Sequence, residues 1–342
     1  MNGYERIMAA FEGEQPDAVP VMLHNFMMAA REAGLTMEQF RSDPKELARS
    51  FIEAVEKYGY DGVLVDVDTV TLAGAVGVPI DLPADAPARV KGSRIRSLAE
   101  VPDLEPVDIS SYRSVQVWLE ATVLLKEHFG DEVLVRGNCD QSPFTLAAMV
   151  RGMNDWMLDL MDPGLEEAAH RLLDWAKEAT LQFISLMAET GAHMVSNGDS
   201  GAGPELVSPA VYRAYALPYE RKAVELSHAA GLPYVLHICG KTEPILDAMI
   251  TTGADGLDLD YKTDPSVARR KMKNRTVYIG NIDPSGILAR GTPQLVEQKT
   301  RELLTVFADT PRFVLNAGCA IPPSTPPENL KAMIRAARSF RG

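Results

Sequence analysis

The segment Tyr234–Gly240 (YVLHICG) is an apolar run that ends in two soft metal ligands, His237 and Cys239. In a β-strand, side chains at positions i and i+2 point to the same face, so both ligands would leave one strand end together. A second apolar run, Phe313–Cys319, also ends in a cysteine. One histidine and two cysteines suit a tetrahedral zinc ion that keeps its fourth position open. We therefore predict that His237, Cys239 and Cys319 bind zinc.

Eight apolar runs of this kind alternate with helix-like amphipathic segments along the chain. They are Asp17–Asn25, Gly62–Asp68, Val133–Asn138, Gly191–Asp199, Tyr234–Gly240, Gly256–Asp260, Val277–Asp283 and Phe313–Cys319. No linker rich in Gly, Ser or Pro divides them, and the alternation is typical of a closed parallel barrel. We predict an α/β fold, a single (β/α)₈ TIM-type barrel with an N-terminal helical extension, in which residues 1–342 form one domain. An open, doubly wound sheet is the structural alternative.

The composition indicates an ordinary globular protein whose partners are small molecules or other proteins. The chain has 342 residues, 46% of them hydrophobic, and a formal net charge of −13. An acidic chain disfavours binding to nucleic acid and to anionic membrane surfaces. The start, Met1–Arg6, does not resemble a signal peptide, and no apolar run approaches the roughly 20 residues that span a bilayer. Three cysteines do not form a disulfide framework, so we expect a cytoplasmic protein.

Polar residues end most of the predicted strands, and the carboxyl ends of barrel strands share the face that carries the chemistry. Aspartates at such junctions are often helix caps or solvated loop residues. We nevertheless predict that Asp68 or Asp199 faces the site as a catalytic residue. There it would orient His237 or handle a proton.

The predicted ligand set favours alkyl transfer over hydrolysis. Two thiolates and a neutral imidazole cancel the charge of the ion, so a thiol bound at the open position would lose its proton and keep nucleophilic electron density. Hydrolases more often surround zinc with histidines and carboxylates. A purely structural zinc would need a fourth protein ligand. Cys139 could supply it, although we expect Cys139 to be a packing residue.

Several motifs, spread over nearly the whole chain, resemble the uroporphyrinogen decarboxylase superfamily. They are Gly137 with Ser142–Leu146, Tyr212–Tyr219, Gly280–Pro284, Asn316–Cys319 and Pro326–Asn329. The resemblance implies a (β/α)₈ barrel with its site at the carboxyl ends of the strands. Within the Gly280–Pro284 motif, we expect Asn281 and Asp283 to contact the cofactor.

The sequence departs from the decarboxylases at two places. They carry an arginine-rich segment after the first strand, where His24–Arg31 has a single arginine, and a histidine where Cys319 stands. The ligand set instead resembles that of the zinc- and corrinoid-dependent methyltransferase branch. This implies a cobalamin carried by a partner, a corrinoid-binding protein, and a small-molecule methyl donor or acceptor such as a thiol, a folate or a methoxylated compound.

Two alternatives stay open at this point. Asp68 falls where the decarboxylases keep their catalytic aspartate, which favours a metal-free lyase that decarboxylates a tetrapyrrole. A non-catalytic alternative is a corrinoid-binding scaffold with structural zinc.

Overall fold

The fold is a parallel eight-stranded barrel, seen in a computed structural model that describes residues 1–341. The strands are β1 (Met22–Leu23), β2 (Gly62–Val65), β3 (Leu134–Gln141), β4 (Met194–Gly198), β5 (Tyr234–Ile238), β6 (Gly256–Leu259), β7 (Val277–Ile282) and β8 (Phe313–Ala317). Each strand pairs in parallel with the next along the chain. A parallel bridge between Val21 and Leu315 joins the last strand to the first. The predicted TIM-type barrel is confirmed, and the open sheet is not.

Helices surround the barrel and connect successive strands. The α-helices are Gly3–Glu12, Phe26–Glu32, Met37–Ser42, Pro44–Tyr58, Thr71–Ala75, Arg113–Phe129, Pro143–Arg151, Met153–Asp159, Glu166–Ala188, Pro209–Val211, Leu217–Ala229, Leu246–Ile250, Pro265–Met272, Pro293–Val306 and Pro327–Ser339. Short 3₁₀ segments lie at Leu98–Asp103, Pro163–Leu165 and Ser200–Ala202, and π-helical turns at Tyr212–Ala216 and Pro284–Ala289. Two-residue antiparallel strands, Ile80–Asp81 and Arg89–Val90, form a small hairpin after β2.

The N-terminal helix Gly3–Glu12 closes the bottom of the barrel, opposite the predicted site. Its buried residues Ile7 and Ala10 join a small apolar cluster with residues that point into the barrel from the strands, among them Met22, Val235 and Val277. The Asn2 side chain and the Glu5 side chain form a capping box that fixes the start of this helix. The predicted N-terminal helical extension is therefore part of the barrel core.

The first strand is much shorter than predicted. Only Met22–Leu23 forms a strand, whereas the apolar run had predicted a strand over Asp17–Asn25. Asp17 instead makes ion pairs with the N-terminus and Arg6, and Pro20 has no amide hydrogen to donate to a ladder. Strand β3, in contrast, continues past the predicted end at Asn138 to Gln141.

None of the helices within residues 1–341 has both the length and the apolarity needed to cross a membrane.

Candidate metal centre

The side chains of His237, Cys239 and Cys319 come together at the carboxyl end of the barrel. One ligand atom from each lies within 4.8 Å of the others. His237 Nε2 is 3.2 Å from Cys239 Sγ. The three residues line a cavity of about 220 Å³. The two chain segments that the sequence singled out therefore converge on one point.

The backbone around β5 fixes the orientation of His237 and Cys239. The Nδ1–H group of His237 donates to the carbonyl oxygen of Asp258, 2.8 Å away, which leaves Nε2 free to bind a metal. Gly240, at φ 87°, turns the chain immediately after Cys239. The amide of Gly240 donates to Asp260 Oδ2 at 2.8 Å, and this bond holds the turn in place.

Gly318 allows Cys319 to reach the same point from β8. Its amide donates to the carbonyl oxygen of Ile282 at 2.8 Å. A Cβ atom at position 318 would press on the backbone nitrogen of Tyr261 and lie 2.8 Å from the Cα of Tyr261. Only glycine fits this approach without a shift of the backbone, so the Gly-Cys sequence has a geometric reason.

The electrostatics of the three side chains favour a thiolate. The hydrogen bond from the Cys319 thiol lowers the pKa of Cys239 to about 3, against the effect of burial and with help from His237. The Ser200 hydroxyl also donates to Cys239 Sγ, at 3.0 Å. Burial opposes a charged imidazole, but the Cys239 thiolate beside it raises the pKa of His237 to about 10. The hydrogen bond that the Cys319 thiol donates to Cys239 raises the pKa of Cys319.

These properties fit a zinc ion. Zinc binds thiolate sulfur and imidazole nitrogen, and a set of three protein ligands leaves one position for a reactant. Cys139 is not part of the group: it is fully buried, and burial raises the pKa of its thiol well above the usual value. Within residues 1–341, no fourth His, Cys, Asp or Glu belongs to this cluster. The expectation that Cys139 packs in the interior agrees with its position.

Asp68 lines the same cavity. Its Oδ1 accepts hydrogen bonds from the Val70 amide and the Thr71 hydroxyl, at 2.9 and 3.0 Å. Its Oδ2 lies 4.0 Å from Nε of Arg41. Burial raises the pKa of Asp68, although these hydrogen bonds and Arg41 oppose the shift. The structure thus brings Asp68 to the cavity beside the three ligands.

Asp199 is not brought to the cavity, although its neighbours Gly198 and Ser200 line it. Its side chain points into the protein, where Oδ1 accepts hydrogen bonds from the amide and hydroxyl of Thr145 at 2.9 and 2.6 Å. Burial raises the pKa of Asp199 to about 6. In this position, Asp199 joins the end of β4 to the helix Pro143–Arg151, so its contacts favour a structural role over the predicted catalytic one.

Asn281 and Asp283 also make contacts within the fold. The Asn281 amide donates to the carbonyl oxygens of Asp260 and Thr263, at 3.0 and 2.9 Å. Asp283 caps the turn Pro284–Ala289 by accepting from the amide of Ser285 at 2.9 Å. Neither residue is among those that line the cavity in the described part of the chain. Their positions explain the motif by local backbone hydrogen bonding and do not support the predicted cofactor contact.

The sequence reasoning missed two arginines of the cavity, Arg41 and Arg136. Arg136 is 2% exposed and its Nη1 donates to Asp258 Oδ2 at 2.8 Å. Alternation along β3 places Arg136 on the same face as Asn138, a signal that could have identified it. Arg41 lies on the helix Met37–Ser42 and donates to the carbonyl oxygens of Pro83 and Ala86, so only the tertiary fold reveals it.

Known proteins of two activities resemble this chain over almost its whole length. A methylcobamide:CoM methyltransferase, MtbA of Methanosarcina acetivorans, is 28% identical and covers 98% of each chain. A uroporphyrinogen decarboxylase of a Synechococcus species is 30% identical and covers 97% of this chain and 96% of its own. The solved structure of a methyltransferase from Methanosarcina mazei superposes with a TM-score of 0.88 at 26% identity, covering 98% of both chains. The family model for uroporphyrinogen decarboxylase (URO-D) matches residues 2–340, and the chain therefore belongs to the URO-D family.

Proposed function

We propose that this protein is a zinc-dependent methyltransferase. It would move a methyl group between a corrinoid, carried by a separate corrinoid-binding protein, and a small molecule bound at the zinc. The observation that carries the proposal is the convergence of His237, Cys239 and Cys319 on one point of the cavity. The methyltransferase relatives support the same activity.

Each side chain has a distinct task in this proposal. His237, Cys239 and Cys319 hold the zinc, and the Asp258 carbonyl keeps the imidazole in the tautomer that binds metal. The Ser200 hydroxyl donates to Cys239 Sγ and so withdraws charge from that sulfur. Asp68 contacts the reactant in the cavity. Asp199, Asn281 and Asp283 hold the surrounding backbone in place.

The bound zinc would supply a site at which a thiol loses its proton at neutral pH or a methyl donor is polarised. The cobalamin would supply or accept the methyl group. The protein contributes a cavity at the carboxyl end of the barrel that positions the reactant.

Metal analysis combined with a methylcobalamin assay tests the proposal. We expect one zinc per chain and demethylation of free methylcobalamin with a suitable thiol. Cys239→Ala and Cys319→Ala should lose both zinc and methyl transfer while keeping the native circular dichroism spectrum. Cys139→Ala, which removes the cysteine outside the cluster, is the matched control and should keep both.

The decarboxylase relatives support one alternative, a metal-free lyase with Asp68 as the central residue. Zinc-free protein that decarboxylates uroporphyrinogen, and is inactive with methylcobalamin, would replace the proposed activity by this one. If removal of the zinc unfolds the chain, and the zinc-loaded protein does not turn over methylcobalamin, the metal is structural and the protein is a corrinoid-binding scaffold.

A further inference from the structure

A histidine and an aspartate that have no task in the proposed function form a hydrogen-bonded pair in the wall of the cavity. Nε2 of His24 lies 2.5 Å from Oδ2 of Asp66, and both residues line the cavity that the three metal ligands also line. His24 directly follows β1 and Asp66 directly follows β2, so two adjacent strands bring the pair together. The Asp66 side chain is buried, whereas that of His24 is 15% exposed.

The contacts of Asp66 determine which nitrogen of His24 carries the hydrogen. Oδ1 of Asp66 accepts hydrogen bonds from the Val67 amide at 2.9 Å and from the Asn138 side chain at 3.1 Å, and these bonds hold the carboxylate in place. An ionised carboxylate only accepts hydrogen bonds, so the hydrogen of a neutral His24 imidazole lies on Nε2. Nδ1 then carries the lone pair, and within residues 1–341 it has no hydrogen-bond partner. A carboxylate in this position also stabilises the imidazolium that forms when Nδ1 takes a proton.

The backbone anchors His24 to the segment that carries Cys319. The His24 amide donates to the Asn316 side chain at 3.1 Å, and the His24 carbonyl oxygen accepts from the Ile321 amide at 2.8 Å. Asn316 and Ile321 lie on either side of Cys319 in the chain. The ring of Phe26, which also lines the cavity, stacks on the imidazole with 5.6 Å between the ring centres. Both the position and the ring orientation of His24 are therefore restrained.

We propose that His24 accepts the proton of the reactant thiol and that Asp66 positions it for this task. The inference rests on the proposed function and adds a catalytic residue to it. A thiol reacts as the thiolate, so its proton must leave before the methyl group is transferred. The S–H bond breaks, its electron pair stays on sulfur, and the proton moves to Nδ1 of His24. The sulfur then forms the S–CH₃ bond while the cobalt–carbon bond breaks and leaves its electron pair on cobalt, and His24 releases the proton to water.

Nitrogen-15 NMR of the metal-free protein tests the pair without zinc or cobalamin. The His24 ring is assigned through contacts with the ring protons of Phe26. We expect its neutral form to carry the hydrogen on Nε2, and Asp66→Asn, whose amide can also donate, to weaken that preference. Asp131→Asn is the matched control, because Asp131 is 76% exposed and pairs with Nε2 of His193 beside the N-terminal helix. It should leave the His24 signals unchanged.

Two small thiols of different acidity separate proton transfer from binding. At slightly alkaline pH, 2-mercaptoethanol is mostly protonated, whereas 2,2,2-trifluoroethanethiol is mostly ionised and has little need of a base. With methylcobalamin and the zinc-loaded protein, His24→Gln should lower kcat for 2-mercaptoethanol by about 100-fold and that for trifluoroethanethiol far less. Asp66→Asn should show the same dependence on the thiol, and Asp131→Asn should change neither rate. The zinc content of all three variants should match that of the wild type.

The outcomes separate this inference from the proposed function. An Nδ1–H tautomer of His24 in the wild type, or no loss or an equal loss with both thiols in His24→Gln, overturns the assignment to His24 and leaves the methyltransferase proposal standing. Loss of zinc in His24→Gln would show that the imidazole supports the metal site instead, and it also overturns the assignment. If the zinc-loaded wild type transfers the methyl group to neither thiol, the proposed function fails and this inference fails with it.

Discussion

Substitution of Gly318 by alanine should remove the metal without removing the barrel. The new Cβ atom would lie 2.8 and 2.9 Å from the Cα and Cβ atoms of Tyr261 and would press on its backbone nitrogen. Ordinary carbon contacts are about 3.5–4.0 Å, so the two backbone segments must separate by roughly 1 Å. Cys319 follows directly in the chain and would move with this shift.

The expected loss of metal affinity follows from the tolerance of zinc coordination. Zinc–sulfur bonds are about 2.3 Å long, and working sites keep them within about 0.2 Å. A displacement of about 1 Å therefore takes Cys319 out of bonding distance. Changes outside the ligands already cost about 10- to 100-fold in affinity, so we expect Gly318→Ala to weaken zinc binding by at least about 100-fold. The crowding should also cost about 1–3 kcal/mol of unfolding free energy.

A competition titration with a chromophoric zinc chelator measures the affinity, and urea unfolding of the metal-free protein measures the stability. Gly92→Ala is the control, because a Cβ atom there would meet only Pro79, at 4.0 Å. It should bind zinc as the wild type does. If Gly318→Ala binds zinc with wild-type affinity, the close approach between β8 and Tyr261 does not position Cys319, and the reasoning is wrong.

Three further predictions concern the free energy of unfolding, which chemical denaturation measures for each variant. Arg136→Met leaves Asp258 as an unpaired buried charge and should lower the free energy of unfolding by about 3–5 kcal/mol. Ile7→Ala leaves a cavity in the apolar cluster between the N-terminal helix and the bottom of the barrel, and it should lower the free energy of unfolding by about 2–5 kcal/mol. Burial and the neighbouring Asp199 raise the pKa of Glu220, so wild-type stability should fall as the pH rises above the unfolded value of about 4.3. Glu220→Gln should remove the part of that fall that Glu220 contributes, while the buried carboxyls Asp199, Asp68 and Asp140, whose pKa values burial also raises, contribute the rest.

Each of these predictions has a result that would contradict it. For Arg136→Met, the additional change Asp258→Asn should restore part of the stability, and no restoration would exclude the unpaired charge as the cause. If Ile7→Ala lowers the free energy of unfolding by less than about 1 kcal/mol, the N-terminal helix does not pack as part of the barrel core. For Glu220→Gln, a stability difference from the wild type that stays constant between pH 4 and 8 would show that Glu220 does not titrate differently on folding.

The sequence predicted the barrel and the three candidate ligands because both depend on local patterns. Alternation of apolar runs with amphipathic segments specifies strands and helices, and the i, i+2 rule places His237 and Cys239 on one face. Cys319 was predicted because a second apolar run, Phe313–Cys319, likewise ends in a cysteine. The carboxyl ends of parallel strands then bring the two segments together.

The rest of the site depends on tertiary contacts that no local pattern contains. Asp199 stands at a strand end, as Asp68 does, but Thr145 on the helix Pro143–Arg151, which precedes β4 in the chain, holds its carboxylate away from the cavity through two hydrogen bonds. Arg41 enters the cavity because backbone carbonyls of the later segment Pro83–Ala86 hold its terminal nitrogens. The motif residue Asn281 bonds to backbone carbonyls of a neighbouring loop.

X-ray absorption spectroscopy of the zinc-loaded protein tests the central claim most directly. We predict two sulfur ligands at about 2.3 Å and one imidazole nitrogen at about 2.0–2.1 Å, with a single exchangeable light atom as the fourth neighbour. Addition of a reactive thiol should replace that light atom by a third sulfur. A shell of nitrogen and oxygen alone, or one unchanged in Cys319→Ala, would contradict the account.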